Sequence, residues 1–248
     1  MKGLAILVLL AGCAVPIDLD QARRFDEANT AQRDGDYVAA AALYEALLDD
    51  GVESGAIYYN LGNACQRAGR RGEAIAAYRQ ALRYRPNDPY LKANLANALS
   101  EREVSSRPLV DHLLFWQRWL SWPGKWQALV VAALISFLLG LAAQMRRRLR
   151  SFAWLGLAVT LLLALSAALA WQDVVGTTHG VITEKSVVAR KGDADSYAPA
   201  FTEPLKEGAE FTLLERRGDW IHIRLRNDDQ LSAWIRAEWG TYYPKLQP

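Results

Sequence analysis

Cysteine, histidine and methionine are scarce in this sequence: two, three and two among 248 residues. Two cysteines cannot staple a small disulfide scaffold. Three scattered histidines and those cysteines leave little for a metal centre, so no metal site and no cofactor are expected. No Ser-His-Asp or Cys-His order is visible, and the acidic residues fall mostly in turns and on polar helix faces. An envelope hydrolase is therefore disfavoured, and no catalytic residue is assigned. Net charge is nearly missing as well. A balance of +2 excludes a nucleic-acid binder that works through a basic surface. The mean hydropathy of −0.06 is that of an ordinary soluble protein. Both averages conceal segregation along the chain. Residues 14–125 carry 14 Lys and Arg against 15 Asp and Glu, and residues 172–248 carry 10 against 12. The positive balance comes from Arg146, Arg147, Arg148 and Arg150, within five residues, and such a cluster needs a local explanation.

The chain begins with a short positive start, Met1-Lys2, and an apolar run from Gly3 to Leu10. Small residues follow, then Pro16 and the acidic Asp18 and Asp20. This is the pattern of a secretory signal, too short to cross a bilayer core of about 30 Å. Leu10-Ala11-Gly12-Cys13 resembles a bacterial lipobox, which implies lipidation of Cys13 and a signal over 1–13. The alternative is an ordinary signal cut after Ala14, with Cys13 incidental. Either places the rest of the chain outside the cytoplasm. Cys65 then has no evident disulfide partner and reads as a small buried hydrophobe.

A 34-residue period follows. Gly35 matches Gly69, Ala40 matches Ala74, Tyr44 matches Tyr78 and Leu48 matches Leu82. Asn29, Asn63 and Asn97 carry the spacing into a third, partial copy, and Asp26, Asn60 and Asn94 form a second column one helical turn earlier. A period of 34 predicts helix hairpins of the tetratricopeptide type stacked into a solenoid, here over 21–103. The best copy, Gly55 to Asp88, resembles that family at Tyr58, Leu61-Gly62, Ala74, Tyr78, Ala81 and Pro86, with Cys65 where tyrosine is usual. The first copy is degraded, with Glu27 in place of leucine and no closing proline. In this family the asparagine columns lie on the concave surface, so Asn29, Tyr59, Asn60, Asn63, Asn94 and Asn97 are the candidate protein-binding residues. Side-chain amides both donate and accept, which suits them to clasp an extended peptide backbone. The competing reading is that they tie helices together within the solenoid. Tyr59 and Ala93 stand where basic residues would help, so a peptide C-terminus is not the favoured ligand.

Residues 104–125 are rich in tryptophan and read as an interfacial linker. Residues 126–145 and 152–171 are then each twenty positions without a charge, enough for about 30 Å of helix. The loop 146–151 between them holds the four arginines, and short arginine-rich loops stay in the cytoplasm. Two transmembrane helices joined there leave both flanking domains on the outer side. Neither span contains an ionisable residue, which disfavours a transport path.

From about residue 178 to 248 the pattern has period two. Ile221, Ile223 and Leu225 alternate with Trp220, His222 and Arg224, as in a half-buried strand. Short strands over so few residues predict a small all-β barrel. The stretch resembles bacterial SH3 domains at Val187 to Gly192, Leu205 to Gly208, Gly218 to Ile223 and Ala233-Trp234-Ile235, with departures at Ala233 and at Asp193-Ala194. That resemblance implies a groove lined by Tyr197, Trp220 and Trp234, unless the tryptophans are core. The predicted fold class is thus a multi-domain membrane protein: an all-α tetratricopeptide repeat solenoid, a two-helix transmembrane hairpin and a small SH3-like barrel.

This order of parts resembles the E component of the Bat (aerotolerance) operon proteins. The resemblance implies a bacterial inner-membrane protein with both domains periplasmic. It also implies von Willebrand A-type partners, indirectly a MoxR-type ATPase, and a part in envelope stress or oxygen tolerance. A non-catalytic scaffold is the first expectation. A cell-wall anchor or sensor, with peptidoglycan on the SH3-like domain, is the second.

Overall fold

The computed structural model describes residues 19–99, 120–175, 177–226 and 231–243. The signal 1–13 with Cys13, and residues 104–119 of the linker, lie outside the described residues.

Among the described residues, five helices form the repeat module: α1 (Leu19–Arg33), α2 (Tyr37–Asp49), α3 (Gly55–Arg67), α4 (Arg71–Tyr84) and α5 (Pro89–Leu99). Several of the starts and stops have a local cause. Asp36 accepts a hydrogen bond from the Ala39 N–H, and Ser54 accepts one from the Ile57 N–H, which satisfies otherwise orphan donors at the heads of α2 and α3. Gly35 and Gly69 take φ of +85° and +80° at equivalent positions of the two hairpin turns, a region closed to most side chains. The missing proline of the first copy is replaced by Gly51. With φ at +80° it ends α2, and the Gly51 and Val52 N–H groups bond back to the Leu48 and Leu47 carbonyls.

Small residues let the paired helices approach. A Cβ on Gly62 would sit 2.5 Å from the Tyr78 ring. Ala40, Ala41, Ala74 and Ala81 are fully buried, and so are Tyr44 and Tyr78. Cys65 is buried and unpaired, as the sequence suggested.

Two further helices, α6 (Trp122–Met145) and α7 (Arg150–Val175), are each long and apolar enough to cross a membrane. Ser121 caps α6, which therefore starts four residues before the expected span, inside the aromatic linker. A single turn of 3-10 helix, Arg147–Leu149, joins the pair. The hairpin packs on itself through a Ser136–Thr160 hydroxyl contact of 2.9 Å and a close approach of Gly156 to Ser136. Its outward side chains are bare: Phe137, Trp154 and Leu161 are 64%, 71% and 61% exposed. Trp122, Trp126 and Trp171 cluster at one end, with ring centroids 5.8 to 6.1 Å apart.

The C-terminal module has seven strands among the described residues: β1 (His179–Ile182), β2 (Ser186–Val187), β3 (Leu205–Lys206), β4 (Glu210–Arg217), β5 (Trp220–Leu225), β6 (Ser232–Arg236) and β7 (Gly240–Tyr243). Five form one antiparallel sheet in the order β6-β5-β4-β1-β7, and β2 pairs with β3 alone. The expected barrel is thus not closed among the described residues. The edge strands β6 and β7 are joined by a 3-10 turn at Ala237–Trp239 and do not pair with each other. The predicted alternation holds on β5, where Ile221 and Ile223 are fully buried. Gly218, with φ at +56°, makes the two-residue turn between Arg217 and Trp220.

The two polar modules, widely separated in sequence, share a core. The outer face of α4 packs against β1 and β7, and Val181 and Tyr243 belong to the same buried cluster as Ile75 and Ala76. The first helix of the apolar hairpin also approaches α4.

Candidate protein-interaction surfaces

The asparagine columns form a ladder that repeats with the sequence period. Asn29 Oδ1 accepts from the Tyr44 hydroxyl at 2.7 Å and from Asn60 Nδ2 at 3.0 Å. Thirty-four residues on, Asn63 Oδ1 accepts from the Tyr78 hydroxyl at 2.9 Å and from Asn94 Nδ2 at 2.8 Å. Each triad links the two helices of one repeat to the first helix of the next. Asn94 also donates to the Tyr59 hydroxyl, and Arg85 lies 5.2 Å above the Tyr59 ring. Five of the six candidate residues are therefore brought together by hydrogen bonds of the solenoid itself. Asn97 continues the column and is exposed.

What this face presents to solvent is a different set. Asp26, Arg33, Arg67, Ala93 and Asn97 are exposed on the first helices. Arg33 and Arg67 stand one repeat apart, four residues after Asn29 and Asn63, and were not among the expected contacts. The sequence signal that marks them is the same 34-residue spacing.

On the sheet, Trp234 is buried, at 8% exposed, in line with the competing reading that it is core, whereas Trp220 is half-buried; neither joins the two apolar clusters. They stand on the face opposite Ile221 and Ile235, under cations. Arg236 lies 5.4 Å over Trp220, Arg217 lies 5.0 Å over Trp234, and His222 stacks on Trp234 with ring centroids 5.0 Å apart. The loop holding Asp193 and Asp195 is tied to this face, because those carboxylates pair with Arg217 and Arg236. Tyr197, 49% exposed, packs its ring over Gly192.

One group of metal-ligand type is present among the described residues. Glu45, Cys65 and Glu73 bring their ligand atoms within 4.8 Å of one another. The Arg70 guanidinium pairs with both carboxylates and so fills the position a cation would take. Burial pushes the Cys65 thiol up to about 12, against the opposing pull of Arg70, which disfavours the free thiolate that nucleophilic attack would need.

Residues 25–90 and 59–101 match the tetratricopeptide repeat family. With the hairpins and small-residue contacts above, this makes the helical part a tetratricopeptide-like repeat module, a type of module that generally binds proteins rather than performing chemistry. No curated protein matches the chain.

Proposed function

We propose that the chain is a non-catalytic membrane scaffold. Its repeat module holds a segment of a protein partner, the α6–α7 hairpin anchors it, and the SH3-like sheet module offers a second surface. The observation that carries this reading is the repeat module's exposed first-helix face, with Arg33, Arg67 and Asn97 open to solvent while the opposite face is packed. The anchor is supported by the bare apolar side chains of a hairpin closed by four arginines. A hairpin of two spans returns the chain to the side it left, which agrees with the contact between the flanking modules. The arginine loop favours a cytoplasmic turn, hence an extracytoplasmic location for both modules. The order of parts supports an inner-membrane component of Bat type, with von Willebrand A-type membrane partners in an envelope-stress or aerotolerance complex.

The test is recovery of those partners from membranes with the full chain. Arg67→Glu with Asn97→Ala changes exposed positions only and is expected to reduce recovery while leaving the helical signal intact. Unchanged recovery would remove the groove as the contact. A reporter fused at Ser151 that reads as extracytoplasmic would sink the topology.

A second reading, a cell-wall anchor, is favoured by the exposed Tyr197 on the sheet module. Sedimentation of the detergent-solubilised full chain with purified cell wall would support it. Absence of pelleting would leave the scaffold alone.

A further inference from the structure

The contact between α4 and the sheet is built in more detail than two independent modules require. The N-terminus of α4 has no cap of its own: Arg70, at the N-cap position, makes no capping bond with its side chain. The missing acceptor comes from 135 positions away, where Glu207 Oε1 takes the Gly72 N–H at 3.0 Å. A carboxylate there also meets the positive end of the helix dipole. Gly72 is required at that point, since a Cβ would lie 2.4 Å from the Ile182 carbonyl oxygen.

Two turns further along α4, Arg79 grips the Glu210 carboxylate with both arms, at 2.7 and 2.6 Å. The Glu210 side chain is 6% exposed, and the Tyr243 hydroxyl donates to it at 3.2 Å. Arg226, from the same module as Glu210, approaches at 3.6 Å. Between these anchors Ile75 is fully buried and lies close to Gly208. A helix cap, a backbone close approach and a bidentate buried ion pair thus occur along one helix face, all completed by the sheet module.

We propose that the outer face of α4 is a docking surface for the chain's own C-terminal module, and that repeats and sheet form one body. The repeat module has two full hairpins and one further helix among the described residues, few for a free-standing solenoid. The sheet module supplies the packing that this short array lacks. It does so only after both membrane-type helices have been made, because its residues follow them in the chain. The proposal does not depend on which partners the protein binds, and its test reads stability alone.

The test is thermal unfolding of the full chain in detergent, with the helical transition followed by circular dichroism. Glu210→Arg sets a third cation beside Arg79 and Arg226, and Arg79→Glu leaves two carboxylates facing each other. Each is expected to lower the helical transition by about 10 °C or more, as for other broken buried pairs. The double variant R79E/E210R restores an opposite-charge pair and is expected to recover at least half of the loss. A helical transition unmoved in both single variants, or a double variant no better than the worse single, would overturn the proposal. If a single variant yields only aggregate, Glu210→Gln takes its place. A lowered helical transition then supports one body, and an unmoved one refutes it.

Discussion

The asparagine ladder makes a quantitative prediction at Asn29. Its Oδ1 is the acceptor for the Tyr44 hydroxyl, and the Tyr44 side chain is fully buried. Asn29→Ala removes that acceptor and the one used by Asn60. Each lost hydrogen bond costs about 0.5–1.5 kcal/mol. The expected loss is about 2 kcal/mol, which for repeats and sheet melting together lowers the melting temperature by roughly 4–8 °C. Asn63→Ala is expected to cost less. The Tyr78 hydroxyl keeps Gln66 Oε1 at 2.8 Å as an acceptor, and Asn94 keeps the Tyr59 hydroxyl. Asn97, exposed at the end of the column, is expected to change stability by less than about 0.5 kcal/mol when made alanine. The assay is a thermal melt of the helical signal, with a double-mutant cycle on Asn29→Ala and Tyr44→Phe. Removing donor and acceptor together is expected to cost less than the sum of the single changes, with coupling of about 1 kcal/mol. Additive costs, or an Asn29→Ala variant that melts like the wild type, would refute a structural ladder and return these residues to ligand contact alone.

Three further outcomes follow from the same structure. Burial alone would push the Glu210 carboxyl up, but the Arg79 hydrogen bonds and charge, with help from Arg226 and Tyr243, outweigh it and hold the group below its ordinary value of 4.5. The ionised form is therefore favoured by folding. Its contribution is complete above about pH 4.5 and is lost as pH falls through the lower folded value, so protease resistance of the joined modules should be flat from pH 7 to about 5 and fall below. With its thiol at about 12, Cys65 should resist a maleimide at pH 7 in the folded protein and react after denaturation; equal rates would show that it is accessible. Gly62→Leu drives a side chain into the Tyr78 ring and should abolish the cooperative helical melt, whereas Gly140→Leu, where a Cβ meets nothing within 4 Å, should leave it unchanged.

Much of the fold was legible because its signals are local. The 34-residue period, the turn glycines and the closing Pro86 each act within a few residues of their position. The charge-free runs are likewise readable, since length and composition alone set whether a helix can cross a bilayer. The period-two strand at Trp220–Leu225 follows from alternation. The stop at Gly51 was hidden because a glycine in the left-handed region does the work expected of proline. The closed barrel was overestimated because alternation predicts strands but not whether the edge strands pair.

The candidate site divides along the same line. Periodicity put Asn29, Asn63 and Asn97 in one column, and so identified the face. It could not say where their carbonyl oxygens point, because Tyr44 and Tyr78 reach them from the second helix of each hairpin. Spacing found Trp220 and Trp234, but the arginines that cover them come from the ends of β4 and β6.

By itself the sequence determined the repeat, the apolar hairpin with its arginine turn, and the side of the sheet that is buried. These depend on patterns shorter than about 35 residues. Only the tertiary structure decided that the modules meet. Gly72 and Glu207, or Arg79 and Glu210, lie more than 130 positions apart, with two long helices between them. No period or motif links such residues. They become partners because the hairpin brings the chain back to α4, where a buried carboxylate is stable only against the guanidinium that faces it.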